Sequence, residues 1–406
     1  MNVRLFSLLM ITLTCFTWTS CEDGPSTDKP TADLKSIELT DAELVVSKQN
    51  SQFAWDMFSH TTAMDGNTIV SPLSASFALC MTADGANGDT RDEIYRALGF
   101  ENCNSNDING YMQKLSSQLM SLDSKTTMAI ANSLWYNKNY AIYDSYISNL
   151  KTYYNADVLS FDVDKAVNQI NAWCSKNTKS YINDLLNPGD VSDLTVSVLV
   201  NALYFDGAWK DKFDKKDTFK GTFNSFDNNT STVDFMSGEK KIGHIAAKSF
   251  TMASFDFGNG AYATQFILPN EGKTFNDCIA EIKELGWEYF TKYSTIIDLN
   301  VNIPKFTLKN RIDMTPIYQQ MGIESAFENN ADFSNMTTSN INLSSAYQSN
   351  YFEIDEEGAK AASASNTSGD LASIGIPPFT LNRPFIFALT ERSTGAILFI
   401  GKIEKL

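Results

Sequence analysis

Apolar residues recur at intervals of three and four along residues 44–60, the spacing of one helix face. A second helical stretch opens at Ser71-Pro72-Leu73-Ser74 and runs through Leu79, Cys80 and Met81, with Ser71 placed to cap it ahead of Pro72. Residues 165–186, carrying Ile170, Trp173, Cys174 and Ile182, predict a further helix. Strands are predicted at 128–136, 196–205, 262–268, 296–303 and 306–308. The run Val198-Leu199-Val200-Asn201-Ala202-Leu203-Tyr204-Phe205 is almost wholly apolar, which predicts a strand covered on both faces in the middle of a sheet. Near the C-terminus, residues 385–389 and 396–400 flank Ser393-Thr394-Gly395 as a hairpin. Helices early and long strands later predict a large α+β domain.

Residues 356–377 break this pattern. Before Leu371 they carry almost no large apolar side chain and cannot anchor themselves in a core. A flexible linker is the ordinary reading of such composition. Linkers join domains, however, and the short strand-like tail that follows belongs to the preceding fold. A structureless stretch of this length inside a compact domain points to function. Laid out as a strand, Ala359, Ala361, Ser363, Ser365, Thr367 and Gly369 share one small, uncharged face, and Lys360 and Asp370 share the other. The segment is therefore able to enter a sheet with one side buried at little steric cost.

Charge and composition narrow the function. Against 48 acidic residues stand 32 basic ones, a formal charge of −16, which argues against binding nucleic-acid phosphates and against a heparin-like cofactor. His60 and His244 are the two histidines, too few for an imidazole metal cluster, and no nucleophile elbow, phosphate loop, dinucleotide fingerprint or H-E-x-x-H accompanies them. No enzyme, cofactor or metal is expected. His60 closes the first helical pattern as a helix-end residue. Cys80, Cys103, Cys174 and Cys278 are widely separated without a C-x-x-C pair and read as single buried thiols, although spacing leaves two disulfides open.

The first residues read as an address. Arg4 precedes an apolar run over residues 5–18, and Thr19-Ser20 are small residues directly before Cys21. Fourteen such residues are too few to span a bilayer. The arrangement resembles a bacterial lipoprotein signal, with Trp18 where a Leu is usual. It implies a signal peptide over 1–20, lipidation of Cys21, a flexible tether over 21–36 and a folded domain over 37–406. Export and anchoring at the cell envelope follow, with surface exposure suggested by Glu22 and Asp23; plain secretion is the alternative.

Several motifs together carry a family resemblance over about residues 37–406. Asn67-Thr68-Ile69-Val70-Ser71-Pro72-Leu73-Ser74 with Gly85-Ala86-Asn87-Gly88-Asp89-Thr90 is one. Asn171, Trp173, Thr178 and Ile182 form another, and Leu199-Val200-Asn201-Ala202-Leu203-Tyr204-Phe205 with Gly207 and Trp209 a third. Pro304-Lys305-Phe306, Glu356-Glu357-Gly358 and Asn382-Arg383-Pro384-Phe385 complete the set. In this order and spacing they resemble the serpins. The resemblance implies an α+β serpin fold with three β-sheets, about eight or nine helices and an exposed reactive loop over about 356–377.

It further implies a suicide-substrate inhibitor: a protease attacks the loop, and the cut loop enters the main sheet as a new strand before the acyl-enzyme is hydrolysed. Glu356, Glu357, Gly358, Ala359, Ala361, Ala362, Ser363 and Ala364 match the hinge. Counting forward from Gly358 puts the cleaved bond between Ala372 and Ser373, and counting back from Pro384 puts it one residue later. Leu371, Ala372 and Ile374 suit an elastase-like or chymotrypsin-like serine protease, with a cysteine protease as a further target class. Ser71, Ser74, Asn201 and Trp209 match positions where the main sheet opens, and Gln348 stands where many relatives have a His. A monomer is expected, touching membrane only through its lipid. The chief alternative is a non-inhibitory serpin-like surface protein that binds or scaffolds.

Overall fold

Thr40 starts the first helix, Asp41–Ser59, by a reciprocal cap: its hydroxyl accepts from the Glu43 amide, and the Glu43 carboxylate accepts from the Thr40 N–H at 2.7 Å. His60 follows at the helix end, its Nδ1 3.2 Å from Gln320 Oε1. Ser71 caps Pro72–Gly85, where Pro occupies a first-turn position that needs no N–H. The computed structural model describes residues 34–193, 195–359 and 378–406. Cys21, Lys360, Ala361, Ala362, Ser363, Ala364, Leu371, Ala372, Ser373 and Ile374 lie outside the described residues, as do the signal and most of the tether. Among the described residues there are nine α-helices and three sheets, and no helix is long and apolar enough to cross a membrane.

The largest sheet has nine strands: Thr68–Val70, Ile397–Ile403, Phe385–Glu391, Tyr262–Pro269, Phe250–Phe257, Thr230–Ala246, Thr295–Pro304 and Phe379–Thr380 in order, with Phe219–Asn224 also on Thr230–Ala246. The expected C-terminal hairpin is its Phe385–Glu391 and Ile397–Ile403 pair. The 17-residue strand Thr230–Ala246 escapes a hydrophobic-pattern reading because Glu239, Lys240 and Lys241 interrupt it. Lys240 is nonetheless buried: its ammonium donates to Asp211 Oδ1 at 2.9 Å and to the Lys212 carbonyl, and lies over the Phe213 ring.

The remaining sheets carry the functional argument. One orders Gly358–Ala359, Ser197–Ala208, Thr126–Asn137 and Asp157–Phe161; the other pairs Phe306–Asp313 with Tyr347–Ile354. A large core under them includes Leu203, Phe205, Phe352 and Ile354, and a smaller one above includes Trp173, Ile182, Leu185, Val200 and Ala202. Ser197–Ala208 is thus covered on both faces, as its composition predicts. In sheet order it also lies inside, between Gly358–Ala359 and Thr126–Asn137, but its two sides are unequally laddered. It ladders with Thr126–Asn137 from Thr126↔Gly207 to Tyr136↔Ser197, while among the described residues its other edge is laddered only at Ala208↔Gly358 and Gly207↔Ala359. Tyr347–Ile354 neighbours that edge, yet no ladder joins the two strands among the described residues.

The helix expected over 165–186 is shorter, Val163–Asn177. Thr178 ends it: its hydroxyl accepts from the Ile182 N–H at 3.0 Å, and Lys179 and Ser180 turn with φ of 48° and 67°. In the helix Pro72–Gly85, Asp84 sits in the last turn, where the helix dipole opposes a negative charge. Burial pushes its carboxyl up to about 6, against a hydrogen bond donated by Tyr154 Oη at 3.2 Å. Cys80, Cys174 and Cys278 are buried free thiols, and Cys103 is half-buried.

Candidate functional site

The seam between Ser197–Ala208 and Tyr347–Ile354, which no ladder closes among the described residues, is a slot, and most of the described candidate residues border it. At its top the chain leaves Tyr347–Ile354 through Asp355, turns, and comes back as Gly358–Ala359. Asp355 N donates to Gly358 O at 3.0 Å, and its carboxylate accepts from the amides of Glu357 and Gly358. Gly358 has φ of 141°, and a Cβ there would collide with the Gly207 carbonyl and the Trp209 amide, so only glycine fits. Ala359 follows at 2% exposure, facing the larger core.

The two glutamates of this turn are tied down rather than solvated. Glu356, 3% exposed, accepts from Thr218 at 2.8 Å and pairs with Lys305 at 3.0 Å. Burial alone would raise its carboxyl; hydrogen bonds from its own amide, Thr218 and Lys305 outweigh that and hold it below the ordinary glutamate value. Glu357 pairs with Lys212 at 2.8 Å and Lys215 at 3.4 Å. Trp209 underlies the turn: its amide donates to Glu357 O, its indole N–H donates to Asp355 O at 2.9 Å, and its ring stacks on Phe257 at 4.5 Å. Lys212, Lys215, Thr218 and Lys305 enter the site as partners that motif matching did not single out, apart from Lys305 as part of Pro304-Lys305-Phe306.

Midway down, the N-terminus of Pro72–Gly85 is bonded to both borders of the slot. On one side, Gln348 Oε1 accepts from the Ser71 amide and Gln348 Nε2 donates to the Ser71 carbonyl, both at 2.8 Å. On the other, the Ser74 hydroxyl donates to Asn201, whose own amide donates to Asn132. Ser71 Oγ donates to Leu398 O at 2.7 Å. Four of the five sheet-opening candidates, Ser71, Ser74, Asn201 and Gln348, therefore meet here, and Trp209 stands apart at the top. Asn132, Asn310 and Asn350 extend the network: the amides of Asn310 and Asn350 both donate to the Ile69 carbonyl. Asn350 shares the parity of Gln348, the one sequence cue that could have found it. At the foot a cleft opens between Leu79, Val198, Leu199, Leu343 and Tyr347.

A sheet parted along one edge, with a loop hinge seated at the top of the parting, is a family-level arrangement. The family model described as Serpin (serine protease inhibitor) matches residues 48–406. The chain belongs to the serpin family. It has the serpin fold, and the family's members are typically serine protease inhibitors rather than catalysts, with non-inhibitory members among them. Leukocyte elastase inhibitor A of Mus musculus is 28% identical, over 88% of this chain and 98% of its own. The native-state crystal structure of tengpin, a thermophilic serpin, superposes with a TM-score of 0.83 at 28% identity, covering 93% of this chain and 98% of tengpin. Human thyroxine-binding globulin, solved with its hormone, gives 0.82 at 27% identity, covering 90% and 99%.

Proposed function

We propose that this serpin is an irreversible suicide-substrate inhibitor of elastase-like or chymotrypsin-like serine proteases. The observation that supports this most is the edge of Ser197–Ala208, which among the described residues is paired at its top by Gly358 and Ala359 and not laddered below them. Cut at the expected bond between Ala372 and Ser373, the loop would run on from Ala359 along that edge. In the existing register Gly358 faces Ala208, so each later residue faces a partner whose number completes 566, and residue 369 faces Ser197 at the strand's end. The register sets Ala359 facing the core, so Ala361, Ser363, Ser365, Thr367 and Gly369 would face it too, and Lys360 would turn outward beside Asp206. Ser71, Ser74, Asn201 and Gln348 would exchange partners as the borders part, and Trp209 would brace the hinge.

Leu371, Ala372 and Ile374 are small to medium apolar residues, which fits proteases with apolar primary pockets; a cysteine protease is a second target class. The leukocyte elastase inhibitor's name agrees with this choice for that relative. We further propose export, lipidation at Cys21 and a monomer tethered to the bacterial cell envelope through residues 21–36.

The test is incubation with elastase-type, chymotrypsin-type and trypsin-type proteases. A covalent complex that survives boiling in detergent, with a released C-terminal peptide whose mass places the cut at 372–373 or one residue later, is the expected result. Clean cleavage without complex across the panel would favour a binding role instead, a reading kept open by the hormone-complexed structural relative.

A further inference from the structure

Tyr181 lies across the slot. Its ring stacks on Tyr204 of Ser197–Ala208 at 5.3 Å and 13°, and packs against Tyr351 of Tyr347–Ile354 at 4.7 Å and 31°. Both partners point away from the larger core, because their neighbours Leu203, Phe205 and Phe352 point into it. They are also level with each other. The Ala208↔Gly358 register brings Tyr204 opposite a third residue beyond Ala359, and the Asp355↔Gly358 register brings Tyr351 opposite the same position, which the sequence fills with Ala362. One ring thus joins two strands that no ladder joins among the described residues.

The segment that carries Tyr181 is built to hold it there. Two consecutive non-glycine residues, Lys179 and Ser180, adopt left-handed backbone angles immediately before it, a conformation that costs energy unless its surroundings impose it. Ser180 N donates to Ser175 O at 2.8 Å and Tyr181 N to Thr178 O at 3.0 Å. Lys179 reaches over the Tyr204 ring toward Asp206. Beyond Tyr181 the same segment is fastened to the far side of the slot, where Lys309 pairs with Asp184 at 3.1 Å, Arg311 pairs with Asp190, and Arg311 Nε donates to Leu185 O at 2.7 Å.

We propose that Tyr181 is a clasp that sets the rate at which the slot admits a strand, a role that rests on the insertion reading above. Admitting a strand moves the two borders apart by about 4.8 Å, one strand spacing. A ring in contact with both tyrosines cannot keep both contacts through that movement, so at least one stack breaks before the third new position is filled. The residue entering beneath the clasp is Ala362, whose single methyl leaves room for the ring to settle again between Tyr204 and Tyr351. Tyr181 in this account is a positioning residue: it touches neither protease nor scissile bond, and it acts through timing.

The experiment compares wild type with Tyr181→Ala, Tyr181→Phe and Tyr351→Leu, all as full-length chains. A synthetic acetylated peptide with the sequence of residues 359–370 is added, and its uptake is followed by the appearance of a form with a raised thermal midpoint; covalent-complex yield with a chymotrypsin-type protease is measured in parallel. With two aromatic contacts of ordinary strength lost, Tyr181→Ala should take up peptide roughly tenfold faster. Tyr181→Phe, which keeps the ring, should stay within about twofold of wild type, and Tyr351→Leu should fall between. The Tyr351→Leu comparison stands on its own where Tyr181→Ala does not fold. Equal uptake rates for wild type and the folded ring-deleting variants would overturn the clasp, and complexes formed by all of them would then leave the inhibitor reading intact. Faster uptake by Tyr181→Ala with no complex from any protein would support the clasp and overturn inhibition. Failure of every protein to take up peptide would overturn the clasp by removing the slot opening on which it depends.

Discussion

Ala359→Arg tests the insertion reading at the residue where the loop already enters the sheet. Ser197–Ala208 offers 12 positions, of which Gly358 and Ala359 occupy two, leaving 12 − 2 = 10 to be filled after cleavage. At about 0.5 to 1.5 kcal/mol per net ladder bond, those positions contribute on the order of 5 to 15 kcal/mol, comparable with the stability of a whole domain. Arginine at 359 would put a guanidinium where the native side chain is 2% exposed and belongs to the larger core. An unpaired charge in such a place costs several kcal/mol. Taking about 4 kcal/mol, the step that must outrun hydrolysis of the acyl-enzyme slows about 10³-fold, since each 1.36 kcal/mol is a factor of ten. The folded state itself loses only two rungs at the top of the slot and should survive. The assay is complex yield against cleaved product on a denaturing gel, with Ala359→Ser as a control of similar bulk. Ala359→Arg should be cleaved at the native bond and released, while Ala359→Ser should trap as wild type does. A yield for Ala359→Arg equal to wild type would refute both the hinge assignment and the burial argument.

Three further outcomes are expected. Limited cleavage near residue 372 should raise the midpoint of thermal unfolding well above that of the intact protein, measured by circular dichroism; an unchanged midpoint would mean that no strand is gained. Asp84→Asn should stabilise the fold at pH 7: with the folded carboxyl at about 6 and its ordinary value at 3.8, ionisation costs the native state on the order of 3 kcal/mol. Because the folded value is the raised one, this group's contribution to stability is fullest below about pH 4 and is lost as pH climbs through 6, so the gain from Asn should shrink in acid; a gain independent of pH in denaturant titrations would exclude Asp84 as its source. Cys21→Ala should move the protein from the membrane fraction to the soluble fraction on cell fractionation, and retention in the membrane would refute the lipid anchor.

How much was legible in the sequence depended on whether each signal was local. Ser71 before Pro72 declared a helix start, and the apolar run through Val198 and Phe205 declared burial on both faces. The edge on which the proposed insertion depends was not visible, because burial reports what covers a strand's faces and says nothing of what ladders along its sides. The helix expected to reach residue 186 ends at Asn177; Ile182 and Leu185 keep helical spacing, yet they join Val200 and Ala202 in the smaller core from an irregular segment. That error concealed Tyr181, which as an apparent helical residue had no reason to stand out. Thr230–Ala246 was hidden by Glu239, Lys240 and Lys241, and the burial of Lys240 and its pairing with Asp211 exist only after folding. At the candidate site, Ser71, Ser74, Asn201 and Gln348 came together from three distant stretches by resemblance to a known pattern, whereas Lys212, Lys215 and Thr218 have meaning only once Glu356 and Glu357 are placed beside them.

The two rungs at Gly358 and Ala359 also decide a question of phase. A strand that docks from solution must search for its alignment, and a slip of one position would swap its two faces, carrying Lys360 inward and exposing the small residues. Under the proposed insertion, the alignment would be decided before any bond is cut, as the first teeth of a zip fastener decide where all the others close. Closure would then travel in one direction only, and its speed would owe nothing to a search.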